Sequence, residues 1–132
     1  MKKQVEQLKR FHKAFNLPLR NSPNVIPIKE FSLRYKLLME EIEELVTAYA
    51  QNNIIEITDA VIDCMYILIG TAVQFGIADK LEQCFDEIHE SNMSKLDKNG
   101  KAIIRKDGKV LKSDLYFPPN LNKILNEKNK AN

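Results

Sequence analysis

The residues in this sequence whose types and spacing could do chemistry are acidic: Glu40-Glu41-Ile42-Glu43-Glu44 in one stretch, then Glu56, Asp59 and Asp63 after a short break. At 100° per residue on a helix, Glu41 and Glu44 fall beside the apolar stripe of Leu38, Ile42 and Leu45, and Glu43 turns away from it. Glu56, Asp59 and Asp63 stand three and four residues apart, so they stack on one face of the following helix. Two antiparallel helices bring the sets together. Asp63 lies in the apolar run Val61-Ile62-Asp63-Cys64-Met65-Tyr66-Ile67, where the pattern predicts burial, and an unpaired buried carboxylate is costly. The cations nearby in the sequence are Arg34 and Lys36, too few for the acids, so a divalent ion is the expected partner. Oxygen ligands alone favour Mg²⁺, with Mn²⁺ able to substitute, over zinc. A Glu-rich helix on its own is more often a solvated face. Asp59 and Asp63 within an apolar helix are what favour the metal reading.

Other chemistries lack their residues. The chain has no GxxxxGK[ST] phosphate loop, no dinucleotide fingerprint, and no Ser or Cys nucleophile with a base to activate it. His12 and His89 are isolated and far from any Cys-x-x-Cys pattern, so each is expected to pack or to lie at the surface. Cys64 and Cys84 fall in apolar helical patterns, where buried reduced thiols and a reducing, cytoplasmic compartment are expected. The basic N-terminus lacks the apolar core of a signal peptide. With 20 basic and 18 acidic residues the net charge is +2, too mild to predict binding to a nucleic-acid polymer. Residues 60–75, interrupted by Asp63, are too short and too costly for a bilayer span, so no membrane partner is expected.

The elements that must position the acids are helices. Val5, Leu8, Phe11 and Phe15 recur at three and four residues, which predicts a short amphipathic helix packed on the main body. Three prolines within residues 16–27 mark a connection. Residues 29–51 carry Leu38, Ile42, Leu45 and Tyr49 at helical spacing. After the polar break Gln51-Asn52-Asn53, residues 54–75 predict a second long helix, buried on all sides beyond Ala60 and ended by Gly76. Residues 78–93 carry Leu81, Phe85 and Ile88 on one face of a fourth helix. Then Asp97-Lys98-Asn99-Gly100 and Asp107-Gly108 flank the runs Ala102-Ile103-Ile104 and Lys109-Val110-Leu111, predicting a small β-hairpin. Residues 116–119 are expected to be extended, and the Lys- and Asn-rich end from Asn126 frayed. At 132 residues the chain fits one domain, with an N-terminal helix and loop (1–28), site-bearing helices (29–95), and a hairpin and tail (96–132). The expected class is all-α, an antiparallel helical bundle. Its helices are too few to cover the apolar segment 60–75, so oligomerisation is expected to complete it.

The order EExxEL, the acidic apolar helix EITDAVIDCMYILIGTAVQFGI, HESNMSKLDKNGK, DGKVLK and YFPPNL resembles the all-α nucleotide pyrophosphohydrolases of the MazG type over nearly the whole chain, in particular a phosphoribosyl-ATP pyrophosphohydrolase-like or Cof-like branch. The resemblance implies Mg²⁺ held by an ExxE, carried over to Glu41 and Glu44, and by an ExxD on the next helix. For that second pair two assignments stand: Asp59 with Asp63, Glu56 being an outer contributor, or Glu56 with Asp59. It further implies that Asn92 and Lys95 contact nucleotide or phosphate, with Asn92 continuing the Leu81, Phe85, Ile88 stripe inward. Lys112 and Tyr116 are expected to close over phosphate and base. Glu40, beside a ligand but on another azimuth, is the expected general base. The implied reaction converts a nucleoside triphosphate to monophosphate and pyrophosphate in a homodimer or dimer of dimers. Alternatives are hydrolysis of phosphoribosyl-ATP in histidine synthesis, or a non-catalytic helical interaction module.

Overall fold

In the computed structural model, which describes residues 1–126, every regular element is a helix. Helix α1 spans Lys2–Ala14, α2 Ile28–Ala50, α3 Ile54–Phe75, α4 Leu81–Met93 and α5 Leu121–Asn126, with a short 3₁₀ turn at Ala78–Lys80. The chain divides by its own contacts into two units, Met1–Asp79 and Lys80–Asn132.

The first unit is built on an α2–α3 hairpin. Pro27 has no N–H to leave unsatisfied and opens α2, whose 23 residues contain no Gly or Pro. Three residues reverse the chain. Asn52 takes the left-handed conformation (φ 52) that Asn tolerates better than most, and the Asn53 side chain caps α3 by accepting from the Ile55 and Glu56 amides at 3.1 and 3.3 Å. At the far end Gly76 (φ 71) closes α3. Its amide and that of Ile77 bond back to the carbonyls of Val73 and Ala72. The connection before α2 is far from idle: Arg20 and Asn24 donate backbone amides to the Val73 and Phe75 carbonyls, and the Arg20 guanidinium reaches the Gln74 carbonyl at 2.9 Å. The same guanidinium grips Glu30 at 2.9 and 3.0 Å. The last carbonyls of α3 therefore find donors in the preceding loop.

Helix α1 packs on α3 as expected, but with a different inward face. Val5, Leu8 and His12 are buried, whereas Phe11 and Phe15 are exposed. Nor is α3 buried on all sides. Ala60, Ile69, Gly70, Ala72, Val73 and Gln74 are covered, but Val61, Ile62, Met65, Tyr66 and Leu68 are exposed. Within the unit α1 and α2 are the helices packed along α3, and two neighbours cannot enclose a helix. Cys64 and Cys84 are free and half-buried rather than buried. No single helix among the described residues is long and apolar enough to cross a membrane.

In the second unit the expected two-stranded hairpin reduces to one antiparallel bridge, Ile104 with Val110, around the Asp107-Gly108 turn. No strand forms among the described residues. Two short apolar runs with no third partner bury too little to sustain a ladder. The extended segment after Tyr116 leads into α5, which the sequence reading missed. Its signal was Asn120 after the proline pair, whose side chain accepts from the Lys123 amide at 3.2 Å. Beyond Asn126, the expected frayed end lies outside the described residues.

Candidate functional site

Antiparallel packing of α2 and α3 has a fixed register because Arg34 bridges them. Its guanidinium, 9% exposed, donates to the Ile67 carbonyl at 2.6 Å and to the Thr71 hydroxyl at 3.0 Å. Seven residues on from Arg34 along α2 comes Glu41, and one turn back from Ile67 along α3 comes Asp63; a further turn along each helix brings Glu44 and Asp59. Electrostatics agree with that register. The Glu41 carboxyl is half-buried, and its pKa is pushed above the ordinary 4.5, first by burial and then by the charges of Glu44, Asp63, Glu40 and Asp59. Four carboxylates of the hairpin thus bear on Glu41.

No cation among the described residues forms an ion pair with these acids. Arg34 is committed to α3. The adjacent Cys64 thiol is likewise pushed up by burial, then by Glu41 and Asp63. Among the described residues no three His, Cys, Asp or Glu side chains stand in an arrangement ready to hold a metal ion. Repulsion, rather than a formed cage, is what the hairpin displays.

The individual acids differ from expectation in instructive ways. Asp63 is half-buried, not enclosed, because the apolar run around it is itself exposed on one side; Glu41 carries the strained charge instead. Glu56 is exposed on the first turn of α3 and is not among the charges acting on Glu41. With Asp59 it lines a cavity of about 540 Å³ whose walls are Ile54, Ile55, Thr58 and Ile62. Glu40 and Glu44 are exposed.

In the second unit the four residues expected to meet substrate come together at the end of α4. Lys95 donates to the Asn92 amide oxygen at 2.5 Å, and the Lys112 ammonium lies 4.0 Å from the centre of the Tyr116 ring. The Tyr116 phenol is held below its usual range by the nearby Ser91 side chain and by Lys112 and Lys95. Asn92, however, is exposed and does not face inward. Leu81, Phe85 and Ile88 do not form the covered face of α4; Ser91 is its buried residue. The sequence reading missed the serines that set this cluster. Ser91 donates to the Phe117 carbonyl (2.8 Å), Ser94 to the Ser91 carbonyl (2.7 Å), and Ser113 to the Leu96 carbonyl (2.7 Å). The spacing Ser91-x-x-Ser94 at a helix end was the available signal.

Comparison with known proteins adds the decisive family evidence. Residues 8–92 match the phosphoribosyl-ATP pyrophosphohydrolase family. No curated protein matches the chain as a relative. The matched segment contains α2, α3 and all of the hairpin's acids. The chain therefore belongs to the phosphoribosyl-ATP pyrophosphohydrolase family of the MazG-like superfamily, and its general chemistry is pyrophosphohydrolysis.

Proposed function

We propose that this protein is a Mg²⁺-dependent pyrophosphohydrolase that converts nucleoside triphosphates to monophosphates and pyrophosphate, in a nucleotide-pool house-cleaning role. The observation that carries the reading is the convergence of Glu44, Asp63, Glu40 and Asp59 on the half-buried Glu41, with none of the five in an ion pair among the described residues. That donor set fits a hard divalent ion: it is all carboxylate oxygen, and its net repulsion favours a bound cation. Glu41, Glu44, Asp59 and Asp63 would hold the ion, with Glu56 as an outer contributor. Bound Mg²⁺, or Mn²⁺ in its place, acidifies the attacking water and neutralises charge on the departing pyrophosphate.

The chain's own residues do the rest. Water attacks the α-phosphorus, the bond from that phosphorus to the bridging oxygen breaks, and pyrophosphate leaves. Glu40 takes the proton from the attacking water, being exposed beside Glu41 and free of any ion pair among the described residues. Asn92, Lys95, Lys112 and Tyr116 are assigned to the substrate. Lys95 and Lys112 supply charge to phosphate oxygens, and Tyr116 positions Lys112 through its ring.

The test is pyrophosphate release from a panel of canonical and modified triphosphates with Mg²⁺, with Asp63→Asn as control. Release by wild type and its loss in the variant are expected. The family match favours a second reading, hydrolysis of phosphoribosyl-ATP by the same carboxylates, and including that nucleotide in the panel separates the two. Turnover of nothing, with no Mg²⁺-induced rise in melting temperature, would point to a non-catalytic interaction module. A homodimer or dimer of dimers within the cytoplasm is part of the proposal.

A further inference from the structure

Beside α3, the last turns of α1 and one residue of α3 form an aromatic groove unused by the chemistry above. Phe11 packs against Phe15, tilted by 38° with ring centres 4.5 Å apart, and meets Tyr66 edge-on at 5.5 Å. Gln7, Arg10 and Ala14 complete a cavity of about 410 Å³. None of the three rings is needed for the buried face of α1, which Val5, Leu8 and His12 supply, and Phe15 is 64% exposed. Exposed rings beside an open cavity call for a flat apolar ligand.

Its position says which. Lys9 meets Asp79 at 2.6 Å, His12 lies against Gly70, and Phe11 meets Tyr66, so α1 runs antiparallel to α3 and its C-terminal end approaches the acids. Tyr66 follows Asp63 by three residues, placing it about 60° round the helix and about 4.5 Å along it. The groove and the carboxylates are therefore neighbours on one side of α3. In the second unit, by contrast, the face of the Tyr116 ring is already covered by Lys112.

We infer that the Phe11–Phe15–Tyr66 groove binds the nucleobase of the substrate whose phosphates the carboxylate hairpin engages. The inference rests on the proposed function for its choice of nucleotide. Rings stack on any base, so they supply affinity; the Gln7 amide, donor and acceptor together, and the Arg10 guanidinium supply what discrimination there is at the base edge.

Adenosine, which carries no phosphate, is titrated into the full chain without metal while the aromatic proton resonances of Phe11, Phe15 and Tyr66 are followed. In parallel, KM and kcat are measured with Mg²⁺ for the best triphosphate of the panel. The exposure of Phe15 makes its truncation harmless to folding. Adenosine is expected to shift all three rings, Phe15→Ala to raise KM about tenfold with kcat little changed, and Phe15→Trp to restore KM. Rings unmoved by adenosine, or a KM unchanged in Phe15→Ala, overturn the inference. Ring shifts in a protein that hydrolyses no nucleotide uphold the groove and remove the hydrolase reading instead.

Discussion

Glu41 is where the molecule's charges are least comfortable, and that discomfort has a measurable sign. Its folded pKa lies above 4.5, so the folded state holds this proton more tightly than the unfolded chain does. Its contribution to stability is accordingly full below pH 4.5 and is lost as pH rises through the folded value. Mg²⁺ should recover that loss. Thermal unfolding of wild type at neutral pH is expected to move upward with Mg²⁺, and Glu41→Gln to show neither the pH effect nor the response to the ion. Glu41→Gln and Asp63→Asn should each lower kcat at least about a hundredfold, on the scale of losing a charge-stabilising group, while Glu40→Gln should lower kcat without abolishing the Mg²⁺-dependent stabilisation. Full turnover by Glu40→Gln removes it as the base. His12 has the opposite dependence. It is 1% exposed, its Nδ1 lies 2.7 Å from the Pro18 carbonyl and must donate to it, and burial followed by Arg34 lowers its pKa from 6.5. The unfolded chain takes up that proton first, so stability is complete above pH 6.5 and falls as pH drops below it. A His12→Gln variant that unfolds with the same acid profile as wild type would clear His12 of the role.

At the scale of elements, the ends of α3 decide whether the acids face one another. A Cβ on Gly76 would stand 2.0 Å from the Ser22 carbonyl oxygen in a left-handed backbone, and the obstacle is backbone that cannot swing aside. Gly76→Ala should therefore destabilise by more than the ~1 kcal/mol that the left-handed conformation alone costs, measured by chemical denaturation. Arg34→Lys keeps the charge but cannot hold both the Ile67 carbonyl and the Thr71 hydroxyl. A loss of about 1.5–3 kcal/mol is expected, as for a hydrogen bond to a charged group. Both ends of α3 were legible in the sequence, since Asn53 and Gly76 are local signals that act within a turn. So were the acids, because spacings of three and four residues place side chains on one face whatever lies opposite. The commitment of Arg34 was not, for it depends on a partner 37 residues away. The same holds for Ser91 and the path of the tail it fixes. Phe11 and Phe15 read as core because periodicity marks an apolar face without saying that His12 would take the inner position. The two hairpin runs read as strands because their turns are strong, yet turns alone cannot supply the neighbouring strand that a ladder needs.

For the whole molecule, the exposed side of α3 poses the largest unanswered energetic question. Ile54, Val61 and Leu68 recur every seven residues, and Met65 falls four after Val61 and three before Leu68. On a helix these four lie together, about 140–200° round from Asp63, and all are exposed, Met65 at 49% and Leu68 at 52%. The seven-residue repeat with an intermediate apolar position is the pattern by which one helix packs along another. A second copy of the chain brings the same stripe and can meet it across a two-fold axis, leaving the faces of α3 that carry Asp59 and Asp63 open. Wild type is therefore expected to sediment at the mass of two or four chains and to melt at a temperature that rises with protein concentration. Met65→Glu puts a charge in the middle of that stripe without touching the acids. It should give a monomer whose melting temperature no longer depends on concentration and lies below that of wild type. A wild-type chain that sediments as a monomer, with a concentration-independent melting temperature, would show that this stripe is not an interface between copies.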